Sequence, residues 1–138
     1  MTSAGERDGS PGRQLLTDPA EVLFRQVHPK WVDGGVPSSQ AFAPTRKDEG
    51  ELSIARAALT TAESAFKHYT MVQQMESAGT WGITVGEASD AGLSSFDDHR
   101  EDVPAHGFVD FRELGRRQAE RKAKLLAACA RTRGRLYP

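Results

Sequence analysis

Cysteine is almost absent from this chain: Cys129 is the single one in 138 residues. One thiol closes no internal disulfide, which excludes a disulfide-stapled secreted scaffold and fits a reducing compartment. Set among Ala127, Ala128 and Ala130, it reads as a small apolar filler on a helix rather than a reactive thiol. Long apolar runs are also lacking, and the opening MTSAGERDGSPGR has no apolar signal-peptide core. These absences give the expectation of a soluble, cytoplasmic protein with no membrane partner. Net charge is missing too, since 18 basic and 19 acidic side chains leave −1. Overall charge therefore selects no class of partner.

The charge that is present is unevenly spread. Residues 112 to 138 carry nine basic and two acidic side chains, net +7, against net −8 for everything before them. Such asymmetry marks either a surface for nucleic acid or an acidic partner, or a helix that pairs with the acidic remainder of its own chain. The length suits one domain with a core of its own. Gly, Ser and charge dominate residues 1 to 14, which read as a disordered tail ahead of a single domain over 15 to 138.

Local patterns predict an α+β fold, a small sheet with two main helices. Asp18-Pro19-Ala20-Glu21 carries helix-start residues, and Glu21 to Val27 reads as a strand stopped by His28-Pro29. If Phe24 faces the core, Arg25 and Val27 face away. Turns and short extended pieces are expected from Pro29 to Glu51, with Ser39-Gln40-Ala41-Phe42 extended and a second strand at Leu52 to Ala55. Thr60 and Glu63 fit a capping box for a helix ending at Gly79, with Ala62, Ala65, Phe66, Tyr69 and Val72 on one face. A strand through Trp81, Ile83 and Val85, a short helix over 86 to 93, an acidic loop from Ser94 to Gly107 and a brief strand at Phe108-Val109 follow. Asp110 with Glu113 predicts the cap of a last helix running to about Arg133 and stopped by Gly134.

Chemistry-bearing groups concentrate between Phe24 and Ile54. Arg25 offers a fork for phosphate or carboxylate, His28 offers an imidazole for proton transfer or hydrogen bonding, and Trp31 or Phe42 offers a face for a planar ring. Ser38, Ser39, Gln40 and Lys47 complete this candidate binding set. The bland reading is a capped loop in which Arg25 pairs with Asp48 and Trp31 is core. On the last helix Arg116, Arg117, Arg121 and Lys124 form a candidate surface for phosphates or an acidic partner, the bland reading being a solvated face. The carboxylates Asp97, Asp98, Glu101 and Asp102 match no EF-hand or zinc spacing, so no metal is assigned. Ser38 and Ser39 lie in no GxSxG elbow, no phosphate loop is present, and no Ser–His–Asp order is readable from the chain.

The pattern FRQVHP, then SSQAF, KDEG and LS, with a closing helix ending RGRLY, resembles a group of small uncharacterised bacterial proteins. The segment around Arg25 also resembles the opening of ADP-ribosylating toxins, which implies that Arg25 matches their early-strand arginine and contacts NAD. The downstream acid of that family has only Glu51, Glu63 and Glu87 as candidates here. Two rival expectations follow. The first is a bacterial protein that binds a macromolecular partner from its own operon, of the toxin–antitoxin or phage-defence kind, with nucleic acid as a further partner and no cofactor. The second is a nucleotide-using enzyme with NAD as cofactor. The enzyme requires Arg25, His28 and Ser39 to converge on a concave pocket, whereas a binding module can leave them spread over a flat face.

Overall fold

Strand-forming residues recur in five runs, and the computed structural model, which describes residues 13–138, pairs them into one antiparallel sheet. The strands of that sheet are β1 (Val22–Gln26), β4 (Glu51–Arg56), β5 (Thr80–Thr84), β6 (Ser95–Asp97) and β7 (His106–Asp110). Their order is β5-β1-β4-β7-β6. A separate two-stranded hairpin, β2 (Val32–Asp33) with β3 (Val36–Pro37), turns at Gly34 and Gly35, both at positive φ. The helices are α1 (Ala62–Lys67), α2 (Val85–Asp90) and α3 (Arg116–Arg133), so the fold is α+β.

Side-chain alternation gives the sheet two unlike faces. One face presents Leu23, Val27, Leu52, Ile54, Trp81, Ile83 and Val109, and these join Ala123, Leu126, Ala127 and Ala130 of α3 in one buried cluster. Each fully buried Leu or Ile there contributes about 1.5–3 kcal/mol. Alanines on α3 let the helix approach the sheet closely. Its C-terminal turn is pinned by Arg133, which donates to Gly82 O and to both Glu87 carboxylate oxygens. The opposite face carries Phe24, Ser53, His106 and Phe108, and α1 lies against part of it.

Chain segments outside the strands cover both sheet edges. Leu16 N donates to Ser95 O, and Asp97 N to Gln14 O, along β6. At β5, Thr80 N donates to Tyr137 O, and Leu136 N to Thr80 O. Arg13 lies across the second face, ion-paired to Glu51 and Asp98 with its guanidinium over the Phe108 ring. Of the tail read for residues 1 to 14, residues 1 to 12 lie outside the described residues, while Arg13 and Gln14 are bonded to the sheet.

Several local expectations give way to longer-range pairing. Asp18 to Glu21 forms a turn rather than a helix start, because β1 is drawn into pairing on both sides from Val22 onward. Leu23, Phe24 and Val27 are all buried, as a central strand covered on both faces requires. Ser39–Phe42 is a 3-10 turn, not an extended piece, and it presses Ala41 and Phe42 into the α3 core. The first helix is capped by Thr61, not Thr60, and Glu63 pairs with Lys67 one turn on. It passes into a π-helical turn, His68–Val72, and ends at Gln73. The wider turn breaks the 3.6-residue period, and Val72 swings out to 67% exposure. Val85 opens α2 instead of continuing β5. The acidic loop contains β6, and His106 and Gly107 belong to β7. Asp110 ends that strand and accepts from Arg112 N, so α3 begins only after Gly115.

Candidate functional site

The site begins with a gap in the sheet. The ladder between β1 and β4 holds at Leu23↔Arg56 and Phe24↔Ala55, while β1 stays paired with β5 as far as Gln26↔Thr80. Beyond Phe24 the two strands part, and the Arg25 side chain fills the opening. Its Nε donates to Ala41 O at 2.8 Å and its Nη1 to Ser53 O at 2.9 Å. The guanidinium thus satisfies the Ser53 carbonyl of β4, where β1 has parted from it, and the Ala41 carbonyl of the 3-10 turn. Arg25 has no ion pair among the described residues: Asp48, the carboxylate expected for it, is held by Thr45 N and Oγ1 in a capping box. Burial lowers the arginine's pKa, with Asp48 and Tyr69 opposing, and the group remains a cation.

Arg25 lies in the wall of a cavity of about 680 Å³ bounded by β1, β4, α1 and the segment from Arg100 to His106. Four cationic side chains line it, Arg25, Lys30, Lys47 and Arg100, against the carboxylates Asp48 and Asp102. Phe24, Trp31, Tyr69 and Leu59 supply apolar surface. Trp31 stands edge-on to His28, with centroids 6.2 Å apart, and the Arg25 Cζ is 6.0 Å from the Trp31 ring. His28 accepts from Lys30 N at Nδ1 and meets Glu76 at Nε2, 3.3 Å away. His68, on the π-helical turn, also lines the cavity.

Of the sequence candidates, Arg25, His28, Trp31 and Lys47 share this cavity, whereas Ser38, Ser39, Gln40 and Phe42 do not line it. Ser38 Oγ is buried without a partner, Gln40 is exposed, and Phe42 is fully buried against α3, out of reach of any stacked ring. Arg116, Arg117, Arg121 and Lys124 are exposed on α3, and Arg116 meets Glu120 at 3.5 Å. Other cations of that segment serve the fold: Lys122 donates to Ala91 O, Arg131 to Pro37 O, and Arg133 pairs with Glu87.

A second group in the same cavity escapes a reading of the sequence. Ser53 on β4 and His106 on β7 both line it, and Ser53 Oγ lies 3.2 Å from His106 Nε2. His106 Nδ1 is 3.0 Å from Asp98 Oδ2 and 3.3 Å from Asp98 O. With the ring proton on Nδ1, directed to Asp98, Nε2 is left to accept from the serine hydroxyl. Burial first, then the Arg100 charge, lowers the His106 pKa against the pull of Asp98, so the imidazole is neutral near pH 7. Burial opposes ionisation of Asp98, but the Arg13 and Arg100 charges outweigh it and hold the carboxylate below its ordinary range. The legible signal was limited to Ser53 falling in one strand-like run and His106 bordering another; their pairing was not. Comparison with protein-family models, with curated proteins and with solved structures returned no match.

Proposed function

We propose that the protein binds a small anionic ligand in the Arg25 cavity, with the anion at the guanidinium and an apolar or planar body against Phe24, Trp31 and Tyr69. The observation that carries this reading is the arginine sunk in the cavity wall with carbonyl partners and no carboxylate. A cation in such a place without a direct ion pair draws phosphate or carboxylate through charge-assisted, forked hydrogen bonds. The volume is within the range for drug-sized ligands. The excess of lining cations favours the same sign of ligand. A nucleotide such as NAD fits this class, although the convergence asked of an enzyme is only partial: Arg25 and His28 share the concavity, whereas Ser39 and the candidate acids Glu51, Glu63 and Glu87 do not line it.

Thermal unfolding in the presence of pyrophosphate, AMP and NAD tests the reading. At a ligand concentration of 100 times Kd, stabilisation is about 2.7 kcal/mol. Arg25→Met, and separately Lys47→Ala, which leaves the sheet untouched, should each reduce the shift. Equal shifts in wild type and both variants, or no shift with any of the three anions, would contradict the proposal.

Binding of a macromolecular partner is the second reading, and one observation favours it. Leu59, Met71, Val72 and Met75 are all at least half exposed, and Leu59 and Met75 stand at the cavity wall. Apolar side chains grouped beside a pocket suit a protein that covers it.

A further inference from the structure

We propose that Ser53 is a nucleophile, activated by His106 and positioned through Asp98, that cleaves a carboxylic ester or related acyl compound held in the cavity. The inference rests on the reading of that cavity as a ligand site and adds a reaction to it. Three features carry it. The hydroxyl, imidazole and carboxylate form an unbroken row, Ser53 Oγ to His106 Nε2 at 3.2 Å and His106 Nδ1 to Asp98 Oδ2 at 3.0 Å. Ser53 is exposed on the cavity wall while the His106 ring behind it is buried, which is the order that attack on a bound ligand requires. Asp98 is itself fixed by Arg13 and Arg100, so the imidazole is held in one orientation.

The same cavity wall carries two further hydrogen-bond donor groups, Gln26 and Arg25. Gln26 lines the cavity, and its Oε1 accepts from the Ser77 and Thr80 hydroxyls at 2.9 and 3.0 Å. Its amide N–H groups have no partner among the described residues. The Arg25 guanidinium, bonded to the Ser53 carbonyl, places a fixed positive charge beside the backbone of that residue.

In the acylation step His106 Nε2 takes the Ser53 proton as Oγ bonds to the acyl carbon, and the carbonyl pair moves onto oxygen. The oxyanion collapses, the bond to the leaving oxygen breaks, and that oxygen receives the proton from His106. Water then repeats the sequence on the acyl-serine: His106 takes its proton, the hydroxide adds, and Ser53 Oγ leaves reprotonated. The products are a carboxylic acid and an alcohol, with no oxidant or further reactant consumed.

The test is reaction of the full chain with a fluorophosphonate, read by intact mass and peptide mapping. The expected result is one adduct on Ser53, absent from Ser53→Ala and at least tenfold slower in His106→Asn. Asp98→Asn should slow labelling and move the pH midpoint of the labelling rate downward, because the carboxylate opposes the lowering of the His106 pKa; loss of a purely structural carboxylate would change the rate without moving that midpoint. An unlabelled wild type, or labelling undiminished in Ser53→Ala, overturns the inference. Ser53 is exposed and the change to alanine is small, so circular dichroism matching wild type establishes that the variant is folded. An anion-dependent thermal shift without a Ser53 adduct defeats the nucleophile and leaves the ligand reading standing. An adduct without any such shift defeats the anionic ligand and upholds the nucleophile.

Discussion

His106 is the side chain whose charge most directly governs the site. Its buried ring resists protonation, and Arg100 adds to that resistance while Asp98 opposes it. The unfolded chain therefore takes up this proton at a higher pH than the folded protein does. The resulting stability is fully present above the unfolded histidine value near 6.5, and it is lost as pH falls from there toward the lower folded value. The slope in that window is at most about 1.4 kcal/mol per pH unit. Urea unfolding from pH 7.5 to 5 should show this limb, and His106→Asn should flatten it. An NMR titration of the His106 ring with a midpoint at or above about 6.5 would contradict the burial argument. Arg25 shows the same competition with another outcome, since burial weakens its proton affinity without removing the charge.

Among the elements, β7 leaves no room for a side chain at Gly107. A Cβ on Gly107 would stand 2.6 Å from Phe96 O and 2.9 Å from Ile54 Cδ1. Gly107→Ala therefore forces β6 and β7 apart and should lower stability by about 1–3 kcal/mol, measured as a drop in the urea midpoint. An unchanged midpoint would mean that the strands yield freely. Element by element, the sequence was readable where alternation or a cap acted locally. Trp81 and Ile83 marked β5, and Gly134 stopped α3. It was unreadable where a local signal competed with a distant partner. Asp110 and Glu113 mimic a capping box, yet Asp110 is the last residue of β7 and its carboxylate is engaged by Arg112. The π-helical turn leaves no mark in composition, and it alone accounts for Val72 facing solvent. Arg25, His28, Trp31 and Lys47 were legible as a group because turns bring near neighbours together. Ser53 and His106 were not, being 53 positions apart.

Across the whole molecule, the strand order matters more than any single pairing. Ser53 lies on β4, His106 on β7 and Asp98 immediately after β6, and these three strands are consecutive in the sheet. The row of side chains thus runs crosswise, perpendicular to the chain, with Ser53 opposite Phe108 and His106 opposite Ala55. A slip of one residue in β7 would turn His106 to the α3 face and dissolve the row without unfolding the helices. Reactivity at Ser53 is therefore a gauge of correct registration rather than of compactness. During refolding from denaturant, the return of helical ellipticity should precede the return of fluorophosphonate labelling; simultaneous recovery would show that sheet and helix form together. A pulse of that reagent would work as a stopwatch for the moment when distant parts of the chain click into alignment.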